Sequence, residues 1–185
     1  MFKESFAEYV KWLPFRDTGP AVSPMNAFMI LNDLRTLRPR MDHLSRSAQA
    51  VAEYLEKHSR VAGVDFLGLE SSPGHGLARK YIRLVDSDDG SGSGVNRYGH
   101  LLGFRVDGPP ENARKVFDGL KMIFRAGDLG RIKSMATLPA LSTHLQPGEE
   151  FRAKAGIPPQ MIRLCVGGED SSDIIDDLAQ ALAAL

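Results

Sequence analysis

Met161-Ile162-Arg163-Leu164-Cys165-Val166-Gly167-Gly168-Glu169-Asp170 is an apolar stretch with one arginine in its middle, and it breaks at two glycines before Ser171-Ser172-Asp173. Met161 to Val166 reads as a strand, and the glycines as a turn that feeds a helix starting near Ser171. Arg163 is the informative residue. A guanidinium keeps its charge in every protein environment. Inside an apolar run that charge is costly unless an anion or carbonyl oxygens meet it. The partner is either structural or a ligand, and the strand alone leaves both open.

After this strand, Ile174, Ile175, Leu178, Leu182 and Leu185 recur at helical spacing and form the inner face of a final helix. Before it, Val61–Leu67, His100–Val106, Met122–Phe124 and Ser134–Leu138 read as strands. Pro110-Glu111 opens a helix with Ala113, Val116, Phe117 and Leu120 inward, and Pro147-Gly148-Glu149 opens a short one that Gly156 caps. Leu44, Ala48, Val51, Ala52 and Leu55 stripe a helix from about Arg40 to His58, with Pro39 kinking or breaking the chain ahead of it. Ser23-Pro24 caps a helix that carries Phe28, Ile30, Leu31, Leu34 and Leu37. A helix from Glu4 to about Leu13 is expected to end at Pro14, and Leu77, Tyr81 and Leu84 to line one side of a helix after the Ser72-Pro73-Gly74 turn. The fold class that follows is α+β: a small, mostly antiparallel sheet covered by helices on one face and preceded by a helical arm.

The 185 residues suffice for a domain with a real core. Lys+Arg and Asp+Glu both total 23, so no charge excess favours nucleic acid or an acidic membrane. A single cysteine excludes an intrachain disulfide and fits a reducing compartment. The N-terminal residues lack the apolar core of a signal peptide, and no apolar run approaches the roughly 20 residues of a membrane helix. A cytoplasmic location is the expectation. The five histidines, His43, His58, His75, His100 and His144, form no ligand pair, and the acidic Asp86–Gly94 segment lacks the twelfth-position glutamate of a calcium loop. No Gly-x-Ser-x-Gly, phosphate loop or Cys-x-x-Cys is present, and Cys165 reads as a small buried hydrophobe. Besides Arg163, one segment has the mixed polar and small composition of a site-lining loop: Asp128-Leu129-Gly130-Arg131-Ile132-Lys133-Ser134, ahead of Ser142-Thr143-His144. An ordinary surface connection is the other reading of it.

Nine segments occur in order: Gly19–Phe28, Leu34-Arg35-Thr36-Leu37 with Arg40-Met41, Ala50–Leu55, Val64–Leu69, Leu129-Gly130, Lys133-Ser134, Pro139-Ala140, Ser142-Thr143-His144 and Ile162–Asp170. This ordered set resembles the C-terminal part of the Cys/Met-metabolism family of pyridoxal-phosphate (PLP) enzymes, fold type I, which includes cystathionine γ-synthase, cystathionine γ-lyase, methionine γ-lyase and O-acetylhomoserine sulfhydrylase. The resemblance implies that Arg163 binds the α-carboxylate of an amino-acid substrate, that Ser134 and Thr143 lie on the substrate side of the site, and that residues 1–20 are a connecting remnant ahead of a C-terminal substrate-binding domain, 21–185. It implies γ-elimination or γ-replacement on sulfur-containing or O-acylated amino acids. Two positions depart from the family. Asp128 stands where Ser or Asn is common, and is expected either to alter substrate preference or to pair with Arg163 in an empty site. Arg35 stands where a glutamate is usual.

In the family the Schiff-base lysine, the stacking tyrosine, the pyridine-nitrogen aspartate and the phosphate-binding residues lie in the N-terminal domain. The resemblance therefore implies PLP in a full-length parent and no cofactor or catalytic residue on this chain, which would be inactive alone. The partners implied are the amino-acid substrate, the missing PLP domain and further copies in a homo-oligomer. The alternative is a free-standing α+β module for amino-acid binding or assembly.

Overall fold

A computed structural model describes residues 2–84 and 94–185, leaving aside the side chains of residues 2–4 and 13. The acidic segment 86–94 lies outside the described residues except for Gly94. The chain forms two units, 1–38 and 39–185.

The first unit is helical. α1 (Phe2–Val10) runs into a π-turn over Lys11–Phe15 and then α2 (Arg16–Thr18). Pro14 therefore does not end the helix, contrary to the sequence expectation. In an α-helix the proline ring would strike the carbonyl four residues back, and a wider turn relieves that clash. The run ends at Gly19, which adopts φ 65° and places its N–H on the Phe15 carbonyl at 3.1 Å. α3 (Pro24–Leu34) starts as expected, with Ser23 Oγ accepting the Asn26 N–H at 3.1 Å and Pro24 in the first turn. Phe6, Tyr9, Trp12, Phe15, Met25, Phe28, Met29, Ile30, Leu31 and Leu34 are each more than half exposed.

The second unit starts within the first turn of α4 (Leu37–Glu56). Pro39 sits in that turn, where its missing N–H is no loss; the chain breaks at Arg35–Thr36 instead. The expected stripe Leu44, Ala48, Val51, Ala52 and Leu55 is buried. β1 (Val61–Asp65) follows, then α5 (His75–Tyr81) and a two-stranded antiparallel ribbon of β2 (Arg83–Leu84) and β3 (Val95–Asn96). α5 turns Ala78 inward while Leu77 and Tyr81 are exposed, the reverse of the expected face. The chain runs close at its start, where a Cβ on Gly74 would lie 2.8 Å from Leu67 Cδ2.

β4 (Leu101–Val106), α6 (Pro110–Gly119), β5 (Phe124–Arg125), β6 (Met135–Thr137), α7 (Gly148–Lys154), β7 (Met161–Cys165) and α8 (Ser171–Leu182) complete the chain. The main sheet has the order β1-β4-β7-β6-β5, and only β5–β6 is parallel. The fold is thus α+β with a mostly antiparallel sheet, as the sequence predicts. Alternation decides its two faces. Leu102, Phe104, Ile162 and Leu164 join Val51, Leu55, Val116, Ile174, Leu178 and Leu182 of α4, α6 and α8 in one buried core. α6 and α8 pack against each other where Gly119 faces Ala181, with a Cβ built on Gly119 lying 3.6 Å from Ala181 Cβ, an ordinary van der Waals contact. Asp177 of α8 is 6% exposed, and its carboxylate accepts the N–H groups of Lys121, Met122 and Ile123 at 2.8, 2.9 and 2.8 Å. Those amides have no strand partner, so a buried acid replaces the ladder there.

Candidate functional site

The face of the sheet opposite the core carries Met161, Arg163 and Cys165 of β7. The pairing register places Gly103 of β4 and Thr137 of β6 beside Arg163. A Cβ built on Gly103 would lie 3.6 Å from the Met161 side chain, an ordinary contact.

Arg163 is half-buried, and its Nη2 donates to the Gly127 carbonyl at 2.8 Å. Among the described residues no carboxylate lies within ion-pair distance of it. One neutral acceptor for five N–H donors leaves most of the fork unmatched. Thr143 borders the same spot: a Cβ on Gly127 would lie 3.3 Å from Thr143 Cγ2. Thr143 Oγ1 is 2.9 Å from His144 Nδ1. Asp128 follows Gly127 directly, but its carboxylate pairs with Arg131 Nη2 at 2.5 Å. Pairing of Asp128 with Arg163 is therefore corrected: Arg131, three residues along the same turn, reaches the acid first.

Ser134, the residue just before β6, is fully buried. Its N–H and Oγ donate to the Glu169 carboxylate at 2.9 and 2.8 Å, and its Oγ accepts the Gly167 N–H at 2.8 Å. Its polar groups are spent on the turn that joins β7 to α8. Gly167 has to be glycine: a Cβ would come 2.2 Å from Ser134 N. Arg163 of β7 and the loop residues Asp128 and Thr143 thus come together around Gly127, while Ser134 braces the turn after β7 from inside.

Cys165 is buried, as expected, but it is more than a hydrophobe. Its Sγ accepts the Gly130 N–H at 3.4 Å and lies 3.4 Å from His100 Nδ1, which is also 3.0 Å from the Val166 carbonyl. Burial pushes the Cys165 thiol up, yet the hydrogen bonds from His100 and the Gly130 N–H, with the charges of His100 and Arg163, outweigh it and hold the thiol below its ordinary value. The hydrogen bond to Cys165 is the main cause that holds His100 above its ordinary value, against the opposite pull of burial. Sequence reasoning missed this contact. The available signal was alternation, which puts Cys165 on the face of Arg163; nothing local marks His100.

Among the described residues no group of three or more His, Cys, Asp or Glu side chains could hold a metal ion, and no helix is long and apolar enough to cross a membrane. Two clefts of 700 and 630 Å³ lie beside β1 and α4, and neither includes Arg163. The geometry around Gly127 suits carboxylate binding, because a fixed guanidinium with unused donors, beside small and hydroxyl side chains, accepts a planar anion.

Residues 3–183 match the sequence pattern of a family described as Cys/Met metabolism PLP-dependent enzyme. The chain is 40% identical to homocysteine synthase of Schizosaccharomyces pombe over 90% of its own length and 36% of that protein. It is 38% identical to O-succinylhomoserine sulfhydrylase of Pseudomonas aeruginosa, over 98% of this chain and 41% of that one. Its fold matches the crystal structure of a protein described as an O-acetylhomoserine (thiol)-lyase from Campylobacter jejuni, which contains an N'-pyridoxyl-lysine-5'-monophosphate: TM-score 0.84, 36% identity, 97% of this chain and 40% of the other. The chain therefore spans about two fifths of the length of the relatives it matches.

Proposed function

The chain belongs to the Cys/Met metabolism PLP-dependent enzyme family, and on that premise we propose that it is the substrate-carboxylate-binding segment of a longer enzyme. The reaction is γ-elimination or γ-replacement on a sulfur-containing or O-acylated amino acid. Residues 21–185 form the C-terminal substrate domain, and 1–20 connect it to a cofactor domain.

The observation that carries this reading is Arg163, half-buried on the open sheet face with one carbonyl acceptor and no carboxylate in reach among the described residues. Arg163 takes the substrate α-carboxylate by two parallel hydrogen bonds, which fix orientation as well as position. Orientation matters because bound PLP acts as an electron sink for one chosen bond at Cα. Thr143 borders the carboxylate, Asp128 tunes substrate preference from beside it, and Ser134 keeps the strand in place.

The residues here do not fit the cofactor itself. The register positions on the open face are Gly63, Asp65, Leu101, Gly103, Arg105, Phe124, Met135, Thr137, Met161, Arg163 and Cys165, and none is a lysine that could hold PLP. We assign the cofactor and all covalent chemistry to the remainder of the longer protein, which acts as a cytoplasmic homo-oligomer. The first unit supports that division. α3 is apolar over most of its circumference, interrupted by Asn26 and Asp33 on one face and by Asn32, the pattern of a helix made largely for burial, yet its apolar residues are exposed here.

In the enzyme that carries both segments, Arg163→Ala should raise KM by about 30-fold or more, the equivalent of losing a charge-assisted pair of about 2 kcal/mol. An unchanged KM would return Arg163 to a structural role.

A further inference from the structure

Side chains two apart on a strand share a face, so β7 sends Arg163 and Cys165 toward the same turn. Arg163 Nη2 binds the Gly127 carbonyl at 2.8 Å, and Cys165 Sγ binds the Gly130 N–H at 3.4 Å. The turn 127–130 is therefore clipped to one strand at both ends. Gly130 adopts φ 78°, a backbone conformation that side chains resist. His100, from just before β4, closes on the sulfur at 3.4 Å and is anchored by the Val166 carbonyl at 3.0 Å.

We propose that Cys165 and His100 are positioning residues for Arg163: they hold Gly130, and through it the Gly127 carbonyl that aims the guanidinium. The functional consequence rests on reading Arg163 as the carboxylate ligand. A neutral thiol is a weak acceptor, whereas a thiolate accepts an N–H strongly. The depressed thiol and the raised imidazole both favour the charged pair. Among the described residues the charged group that acts on the pair is Arg163 on β7; Asp128 and Arg131 on the turn are paired with each other, and the register neighbours of Cys165, Leu101 of β4 and Met135 of β6, are uncharged. The hold on Gly130 accordingly strengthens as pH rises through the depressed thiol midpoint.

The test uses the 185-residue chain, labelled with ¹⁵N, following the Gly130 amide and the Arg163 Nε–H by NMR across pH. Both signals should move with one shared midpoint. Cys165→Ala should abolish the step and speed Gly130 hydrogen exchange by about fivefold to tenfold, the loss of one modest hydrogen bond. Cys165→Ser, which keeps an acceptor of similar size, should restore protection without the pH step, and so decides the question even if the alanine variant fails to fold. His100→Asn should move the midpoint to higher pH. A step that survives in either Cys165 variant, or unchanged Gly130 exchange in Cys165→Ala, overturns the proposal. Titration with acetate separates the two readings. If acetate shifts the Arg163 signal equally in wild type and Cys165→Ala, the positioning role fails while the carboxylate site stands. If acetate leaves it unmoved while the shared step is present, the carboxylate reading fails and the positioning role stands.

Discussion

Asp177 shows how one buried acid can replace a missing stretch of sheet. Its carboxylate satisfies three successive N–H groups and is also reached by Gln180 Nε2 at 3.1 Å. Burial pushes Asp177 up, but the N–H groups of Ile123, Lys121 and Met122, with Gln180, outweigh it and hold the carboxyl below the usual carboxylate value. The folded state thus favours the ionised form. Its contribution is complete above the unfolded-state value and is lost as pH falls through the lower folded-state value. Asp177→Ala should cost about 2 to 3 kcal/mol in a denaturant titration at neutral pH, since it leaves three N–H donors unmatched, that of Ile123 buried and those of Lys121 and Met122 part-buried. Asp177→Asn should flatten the acid limb of the stability profile relative to wild type. The two glycines after β7 make a sharper pair. Gly167→Ala drives a Cβ into Ser134 N at 2.2 Å, whereas Gly168→Ala meets only the movable Ile132 Cδ1 at 2.9 Å. Gly167→Ala should therefore destabilise by several kcal/mol, about 3 or more, and Gly168→Ala by clearly less in the same titration. Equal costs would contradict the close approach on which this turn depends.

At the scale of elements, periodicity carried most of the fold. The stripe of α4, the alternation of β7 and the spacing Ile174–Leu178–Leu182 in α8 each follow from counting residues, because a helix or strand that must bury one face leaves that face written in its own sequence. Pro14 was misread because a proline in the middle of a helix has two outcomes, a stop or a widened turn, and sequence favours the first. The inner face of α5 was misread because a helix of seven residues offers too few positions to define a stripe. Arg163 was legible as a charge in an apolar strand. Its anchor Gly127 is 36 residues away in sequence, and the His100–Cys165 contact spans 65. Such pairs belong to sheet register, which no local pattern announces. The cap of α3 is a purely local feature, and its worth is correspondingly local. Ser23→Ala should lower helix content in the first unit at a cost of about 1 kcal/mol, measured by circular dichroism on thermal unfolding, while the resonances of the core around Phe104 and Ile162 stay in place.

At the scale of the molecule, the distribution of apolar surface is lopsided. The second unit buries a continuous core, whereas the first presents Trp12, Phe15, Phe28, Ile30 and Leu31 to solvent. Exposed apolar residues at this density are consistent with the proposed homo-oligomer. The full chain should bind a hydrophobic dye and sediment as more than a monomer, and removal of residues 1–34 should weaken dye binding and shift the chain toward monomer, although Leu77, Tyr81, Phe124 and Ile132 stay exposed in the second unit; a monomeric, dye-free full chain would contradict the proposed oligomer. The central claim is a division of labour: this chain holds a substrate carboxylate, and the group that reacts with the substrate is held elsewhere. Its most direct test is to incubate the 185-residue chain with pyridoxal phosphate, reduce with borohydride and map the pyridoxyl label by peptide mass spectrometry. Sparse, substoichiometric label scattered over the lysines is expected. One pyridoxyl group per chain on a single lysine would contradict it.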